Sequence, residues 1–219
     1  MVSTPRDYYV PLSISKGVKD KLTHAGNYGV KVSMETLEML YGVDVDYYAR
    51  LNFTGFVKVV DSLGGVNVYS EYSFSAGGYS YSKGYNNLEG DAALAFARER
   101  YSFAGGDRQR GKNQMAVITA VINKLTSTAV LNNYTSLLAG IGSSVQTNLS
   151  TDDIYALVKM QLNDMSGWTV NSYSVDGTGA SNYTYSAPGH KAYVMIPNMD
   201  TVNTARSKIN KIISGESLE

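Results

Sequence analysis

Between residues 88 and 114 the chain reads LEGDAALAFARERYSFAGGDRQRGKNQ, which places Arg98, Arg100, Asp107, Arg108, Arg110, Lys112, Asn113 and Gln114 close together. Arginine's planar fork matches phosphate oxygens two at a time, so a cluster of this kind suits a phosphate or pyrophosphate ligand. Arg108, Arg110 and Lys112 fall in the first turns of an expected helix, where the helix dipole disfavours each cation by roughly 0.3–1 kcal/mol. An anion docked at that end, where free backbone N–H groups already favour phosphate, would offset the cost. Asp107, Arg110 and Gln114 share one face at i, i+3 and i+7, with Asn113 beside Arg110. Arg98 and Arg100 would point apart on a continuous helix and converge only if it unwinds near Glu99. On spacing alone, a solvated basic helix start is the alternative.

Two apolar-patterned segments must position these residues. Leu88, Ala92, Ala95 and Phe96 recur at helical spacing, as do Met115, Val117, Ile118, Val121, Ile122 and Leu125. Gly105-Gly106 separates them, and Asp107 reads as the N-cap of the second helix. Upstream, residues 2–11 read as a strand end running into a loop, and 17–28 as a short helix carrying Lys21 and His24. Residues 33–40 read as a helix capped by Ser33, and 46–51 as a strand. A helix is expected over 53–63, with Phe53, Phe56, Val57, Val60 and Leu63 facing inward, then a strand over 66–69. The Gly/Ser/Tyr-rich stretch 73–87 reads as a mobile loop or hairpin beside the arginines, able to shape acceptor access. Downstream, 130–145 and 151–162 read as helices, the latter capped by Ser150. Residues 168–175 and 191–196 read as strands, 177–188 as a loop, and 198–213 as an amphipathic helix. Strand–helix–strand order predicts an α/β (α+β) fold, a central mixed β-sheet flanked by helices.

With 219 residues, 43% of them hydrophobic, the chain can bury one sizeable core, and one domain over 1–219 is expected. The formal net charge is zero, so anion binding must be local. No helix-turn-helix pattern and no basic stripe are visible, which argues against nucleic acid. Cysteine is absent, which excludes disulfides and thiolate metal sites. No apolar run approaches the ~18–20 residues of a membrane span. With His24 and His190 as the two histidines, Ser-His-Asp chemistry has little to draw on.

ALAFARER followed by GGDRQRGKNQ resembles the signature of the LytR-CpsA-Psr family. Further matches run in order: PRD at 5–7, DKLTHAGNYG at 20–29 and VDYYARLNFTGFVKVVDSLGGVNV at 45–68. Together they cover roughly the first three-fifths of the chain, a much more specific signal than a lone glycine pattern. The resemblance implies an extracellular phosphotransferase on the cell-wall side of a bacterial membrane. Such an enzyme moves a glycopolymer (teichoic acid or capsular polysaccharide) from a polyprenyl-pyrophosphate carrier to a hydroxyl of peptidoglycan. It further implies that Arg6, Lys21, Arg98, Arg100, Arg110 and Gln114 contact the pyrophosphate. Asp107 orients Arg110 or takes the acceptor proton. The orienting role is preferred, because an aspartate among arginines is a weak base. Asp7 and Asn113 are secondary members. Magnesium is the cofactor the family implies, held by acidic residues on a hairpin that would precede residue 1, so this chain is expected to be N-terminally truncated. A membrane anchor outside the chain is expected as well. Apolar residues of 45–68 line a polyprenyl tunnel in the family, or simply form core. A lipid- or sugar-phosphate-binding module without turnover is the alternative function, and transcriptional regulation is a label such proteins have carried.

Overall fold

Alternation within Val66–Ser70 turns Val66, Val68 and Ser70 inward and Asn67 and Tyr69 to solvent, and this strand organises the larger of two compact units, Tyr47–Asn171. The computed structural model describes residues 1–165 and 167–218. Against the inward face pack Ala92, Ala93 and Phe96 of the Gly90–Arg98 helix, Val117 and Ala120 of the Gly106–Leu125 helix, and Val60 of the Phe53–Ser62 helix. Phe96 is fully buried, with Phe74 and Tyr81 at ring-centroid distances of 5.3 and 5.2 Å. Tyr81 Oη donates to the carbonyl of Ala92 at 2.8 Å, and burial pushes its phenol up to about 12.

Of the two expected forms, loop or hairpin, residues 73–87 take the hairpin and pack as part of this core. Phe74–Ala76 pairs antiparallel with Tyr79–Tyr81, and Gly84–Leu88 pairs with Val66–Ser70. The first turn runs through Gly77 and Gly78 at φ +57° and +85°, the doubly left-handed geometry that matches hairpin twist. Leu63 is buried, whereas Phe53, expected inward, is 58% exposed. Asn52 caps that helix, its Oδ1 accepting from Gly55 N–H at 2.7 Å.

The expected 130–145 helix is broken. Thr128–Leu131 and Tyr134–Ile141 are separate helices on either side of Asn132-Asn133, and Val145–Thr147 becomes a strand against Ala49–Leu51. Gly142, at φ +43°, turns the chain between them. Thr151–Asp164 follows, with the expected Ser150 cap extended to a capping box by Asp153.

Both ends of the chain build the other unit, Met1–Asp46 with Ser172–Glu219. Tyr8, Val10, Leu40, Tyr41, Val175, Val202 and Ala205 form its core. Val30–Tyr41 and Met199–Ile213 are its long helices, joined by Arg206, whose guanidinium donates to the carbonyls of Tyr41 and Leu40 at 2.5 and 3.2 Å. The first begins after Gly29 at φ +112°, so Ser33 lies inside it rather than capping it. The expected 168–175 strand shortens to Tyr173–Ser174, parallel to Val2–Ser3. The expected 177–188 loop is largely a strand, because Gly177–Thr184 pairs along nearly its whole length with Ala187–Pro197. Small residues there hide a strand that the partner's side chains cover: the Tyr193 ring lies across Gly179.

The α/β class holds, with parallel and antiparallel pairings both present. Among the described residues the strands form six two-stranded ladders rather than one continuous central sheet, because most are only two to five residues long. Replacing Phe96 by Ala should remove about 3–5 kcal/mol of stability by opening a cavity at the aromatic cluster. Urea unfolding would measure this, the expected sign being a lower midpoint at unchanged slope.

Candidate anion site

In the Tyr47–Asn171 unit, the Gly90–Arg98 helix ends where the arginines begin. Glu99 takes extended backbone, at φ −66° and ψ 135°, so Arg98 is the last helical residue and Arg100 lies beyond the break. Glu99 Oε1 accepts from Ser102 N–H at 2.7 Å, and although slight burial opposes it, the hydrogen bonds from Ser102 hold this carboxyl below its usual range. The break falls at the residue where the sequence requires one if the two arginines are to converge. Even so, the two guanidiniums do not share a partner: Arg98 rests on the Phe53 ring at 4.4 Å, and Arg100 rests on and bonds Tyr101. Arg98, Glu99, Asp91, Tyr79 and Tyr101 border an open cavity of about 440 Å³.

Gly105 precedes the next helix, Gly106–Leu125, so Asp107 sits in its first turn instead of capping it. Asp107 Oδ1 meets Arg110 Nη2 at 2.5 Å, the expected i, i+3 pair. This pairing is the contact that the orienting role requires. Lys112 pairs instead with Glu71, at 3.1 and 3.2 Å. Gln114 is exposed, available to a ligand.

Asn113 departs from the sequence expectation. It is 3% exposed, and its amide accepts from Gln109 at 3.1 Å and donates to the carbonyl of Phe96 at 3.4 Å. This is an interhelical clamp, and it holds the end of the arginine-bearing helix against the next one. Gln109, equally buried, escaped sequence reading because a glutamine among charged residues gives no signal of burial.

In the Met1–Asp46 and Ser172–Glu219 unit, Lys21 ends a short strand, Lys19–Lys21, rather than lying in a helix, and its ammonium meets Asp7 at 3.2 Å. Arg6 is exposed. The middle residue of that strand is one that the sequence pattern does not single out. Asp20 is fully buried, and accepts from Lys21 N–H at 2.7 Å, His24 Nδ1 at 2.6 Å, Ser186 N–H at 2.9 Å and the Ser186 hydroxyl. Burial alone would raise this carboxyl, but the Ser186 hydroxyl and the other donors outweigh it and hold it below its usual range. The i, i+4 spacing of Asp20 and His24 was a readable signal. Ser186, 166 residues away, was not.

The LytR_cpsA_psr family pattern matches residues 1–207. This chain belongs to that family. The polyisoprenyl-teichoic acid–peptidoglycan teichoic acid transferase TagU of Bacillus mycoides (strain KBAB4) is 40% identical over 159 residues, which span 72% of this chain and 52% of that protein. The chain thus spans about half the length of the curated relatives it matches. Among solved structures, B. subtilis TagU aligns with a TM-score of 0.73 at 30% identity, over 96% of this chain and 84% of that one. TagT bound to LI-WTA aligns at 0.74 and 30% identity, over 96% of this chain and 77% of that one.

As for the metal expected of this family, no group of three or more carboxylate or imidazole side chains comes together among the described residues in a way that could hold an ion.

Two outcomes follow from this geometry. Asn113→Ala should cost about 1–3 kcal/mol of stability, because it orphans the buried Phe96 carbonyl and the Gln109 amide, and thermal melts would register it. Asp20 contributes stability that is present above its unfolded value near pH ~4 and lost as pH falls through its lower folded value. Asp20→Asn should therefore flatten the acid limb of a stability-against-pH curve, while an unaltered limb would assign acid sensitivity elsewhere.

Proposed function

We propose that this chain carries the transfer site of an envelope enzyme, one that moves a glycopolymer from a polyprenyl-pyrophosphate carrier to a hydroxyl of peptidoglycan. Teichoic acid is the first choice of polymer, because the relative from B. mycoides is a teichoic acid transferase. One observation carries the reading. The helix stops at Arg98, and the next begins with Asp107 bonded to Arg110, so fixed guanidiniums lie on both sides of a short turn. Such an arrangement suits a pyrophosphate, whose charge is spread over several oxygens.

In the reaction, the acceptor hydroxyl attacks the phosphorus that bears the polymer. A new P–O bond forms to the acceptor as the P–O bond to polyprenyl phosphate breaks; polyprenyl phosphate departs, and the hydroxyl proton passes to solvent. Phosphoryl transfer of this kind depends mainly on positioning and charge stabilisation, so it needs no covalent nucleophile from the protein. Arg98, Arg100 and Arg110 would balance charge on the transferring and leaving phosphates, with Asp107 keeping Arg110 in one orientation. Gln114 is free to donate a further hydrogen bond. Arg6 and Lys21 are the further cations that the family resemblance assigns to phosphate.

None of the described helices is long and apolar enough to cross a membrane. The family resemblance would have the lipid carrier met at the membrane surface, on the cell-wall side. Magnesium is the cofactor that the family resemblance adds to this reading.

Calorimetric titration with a polyprenyl pyrophosphate tests the site. Arg98→Ala should weaken binding roughly 10- to 100-fold, the worth of one charge-assisted bidentate contact. Unchanged affinity would remove Arg98 from the site. Running the titration with and without magnesium separates two cases: binding strengthened by the ion supports an enzyme, and binding indifferent to it supports a module that holds the lipid without turnover.

A further inference from the structure

Arg50 and Lys58 are cations that the transfer site does not use. Arg50 lies on the Ala49–Leu51 strand and Lys58 on the Phe53–Ser62 helix, and both line a cavity of about 360 Å³ with Asn52, Thr54, Ser144 and Gln146. Neither cation forms an ion pair or hydrogen bond with any described residue. No carboxylate lines the cavity. Two like charges side by side without an acid are mutually repulsive, and an anion between them reverses the sign of that interaction.

The walls are held by structure. Arg50 stands opposite Gln146 in the antiparallel ladder of Ala49–Leu51 with Val145–Thr147. Gly55 lets the helix close on the backbone of Ser144, since a Cβ at 55 would run into that carbonyl. Asn52 spends its Oδ1 on Gly55 N–H and keeps its amide N–H groups as donors. The lining thus offers two cations, amides and hydroxyls, which is the complement of a phosphodiester with its attached polyol.

Position along the chain ties the cavity to the transfer site. Phe53, between the lining residues Asn52 and Thr54, is the ring on which the Arg98 guanidinium rests, at 4.4 Å.

We propose that this cavity is a second anion subsite, which holds a phosphodiester of the polymer while the arginines at 98, 100 and 110 hold the pyrophosphate. The proposal rests on the transfer reading above and adds to it a preference for polymers with phosphate in their repeat. A phospholipid headgroup carries the same group. The polymer is favoured because the lining is predominantly polar, with Leu51 its one large apolar side chain.

The test compares the wild-type chain with the double variant Arg50→Gln/Lys58→Gln against inorganic pyrophosphate, a short oligo(glycerol phosphate) and phosphatidylglycerol vesicles. Both residues are exposed, so the variant should melt like the wild type. It should bind the oligomer roughly 10-fold more weakly at low salt, with the difference shrinking as salt rises, and bind pyrophosphate unchanged. Equal oligomer affinity in the two proteins, or no oligomer binding by either, would overturn the subsite. Loss of vesicle binding with oligomer binding intact would assign the cavity to lipid headgroups and overturn the polymer. Failure of pyrophosphate binding in both proteins would instead strike the transfer reading, leaving the oligomer comparison to decide the cavity.

Discussion

Burial of the Phe96 ring is the constraint on which the Tyr47–Asn171 unit turns. The ring is fully enclosed by Phe74, Tyr81 and the apolar face of the neighbouring strand, so the Gly90–Arg98 helix has one rotation and one depth available to it. The backbone carbonyl of the same residue accepts from Asn113, and this ties the helix to the start of the next. Two residues beyond Phe96 comes Arg98. Its placement is thus inherited from a packing interaction rather than from any charge, and a guanidinium held this way loses little freedom when a ligand arrives.

Charge in this molecule is arranged locally around a net of zero. Some cations are matched with acids, as Arg110 is with Asp107, Lys21 with Asp7 and Lys112 with Glu71. Others rest on aromatic rings, as Arg98 does on Phe53 and Arg100 on Tyr101. A ring orients a guanidinium without neutralising it, so these two keep their full charge for an anion. Arg50 and Lys58 belong to neither kind. The buried Asp20 shows the opposite solution, a carboxylate withdrawn from water and satisfied by four protein donors, which makes it a structural anchor beside Lys21.

Helices with strong apolar periodicity were legible in advance: those carrying Phe96, Val60, Val117 and Val202 lie close to where the pattern of their apolar residues puts them. Strands made of small and polar residues were not. Gly177–Thr184 has little apolar alternation of its own, because its cover comes from Tyr193 and Val194 of the facing strand, and 73–87 gained order from Phe74 and Tyr81 packing on a helix it meets only after folding. The helix starts at Gly29 and Gly106 differ from the expected side-chain caps, because a glycine with positive φ begins each element and, unlike a capping side chain, leaves no distinct sequence mark.

From the sequence alone came the family, the identity of the arginines, the pairing of Asp107 with Arg110 and the break needed near Glu99. All of these depend on residues close together in the chain, where spacing and geometry are nearly the same thing. The tertiary structure decided what each polar group has as its partner. It turned Asn113 into a buried clamp, gave Arg98 the ring of Phe53, brought Ser186 to Asp20 and gathered Arg50 and Lys58 around one cavity. The physical reason is that hydrogen bonds, ring contacts and burial depend on distance in space. For partners that are not close neighbours in the chain, up to 166 positions apart for Asp20 and Ser186, only the folded core sets that distance.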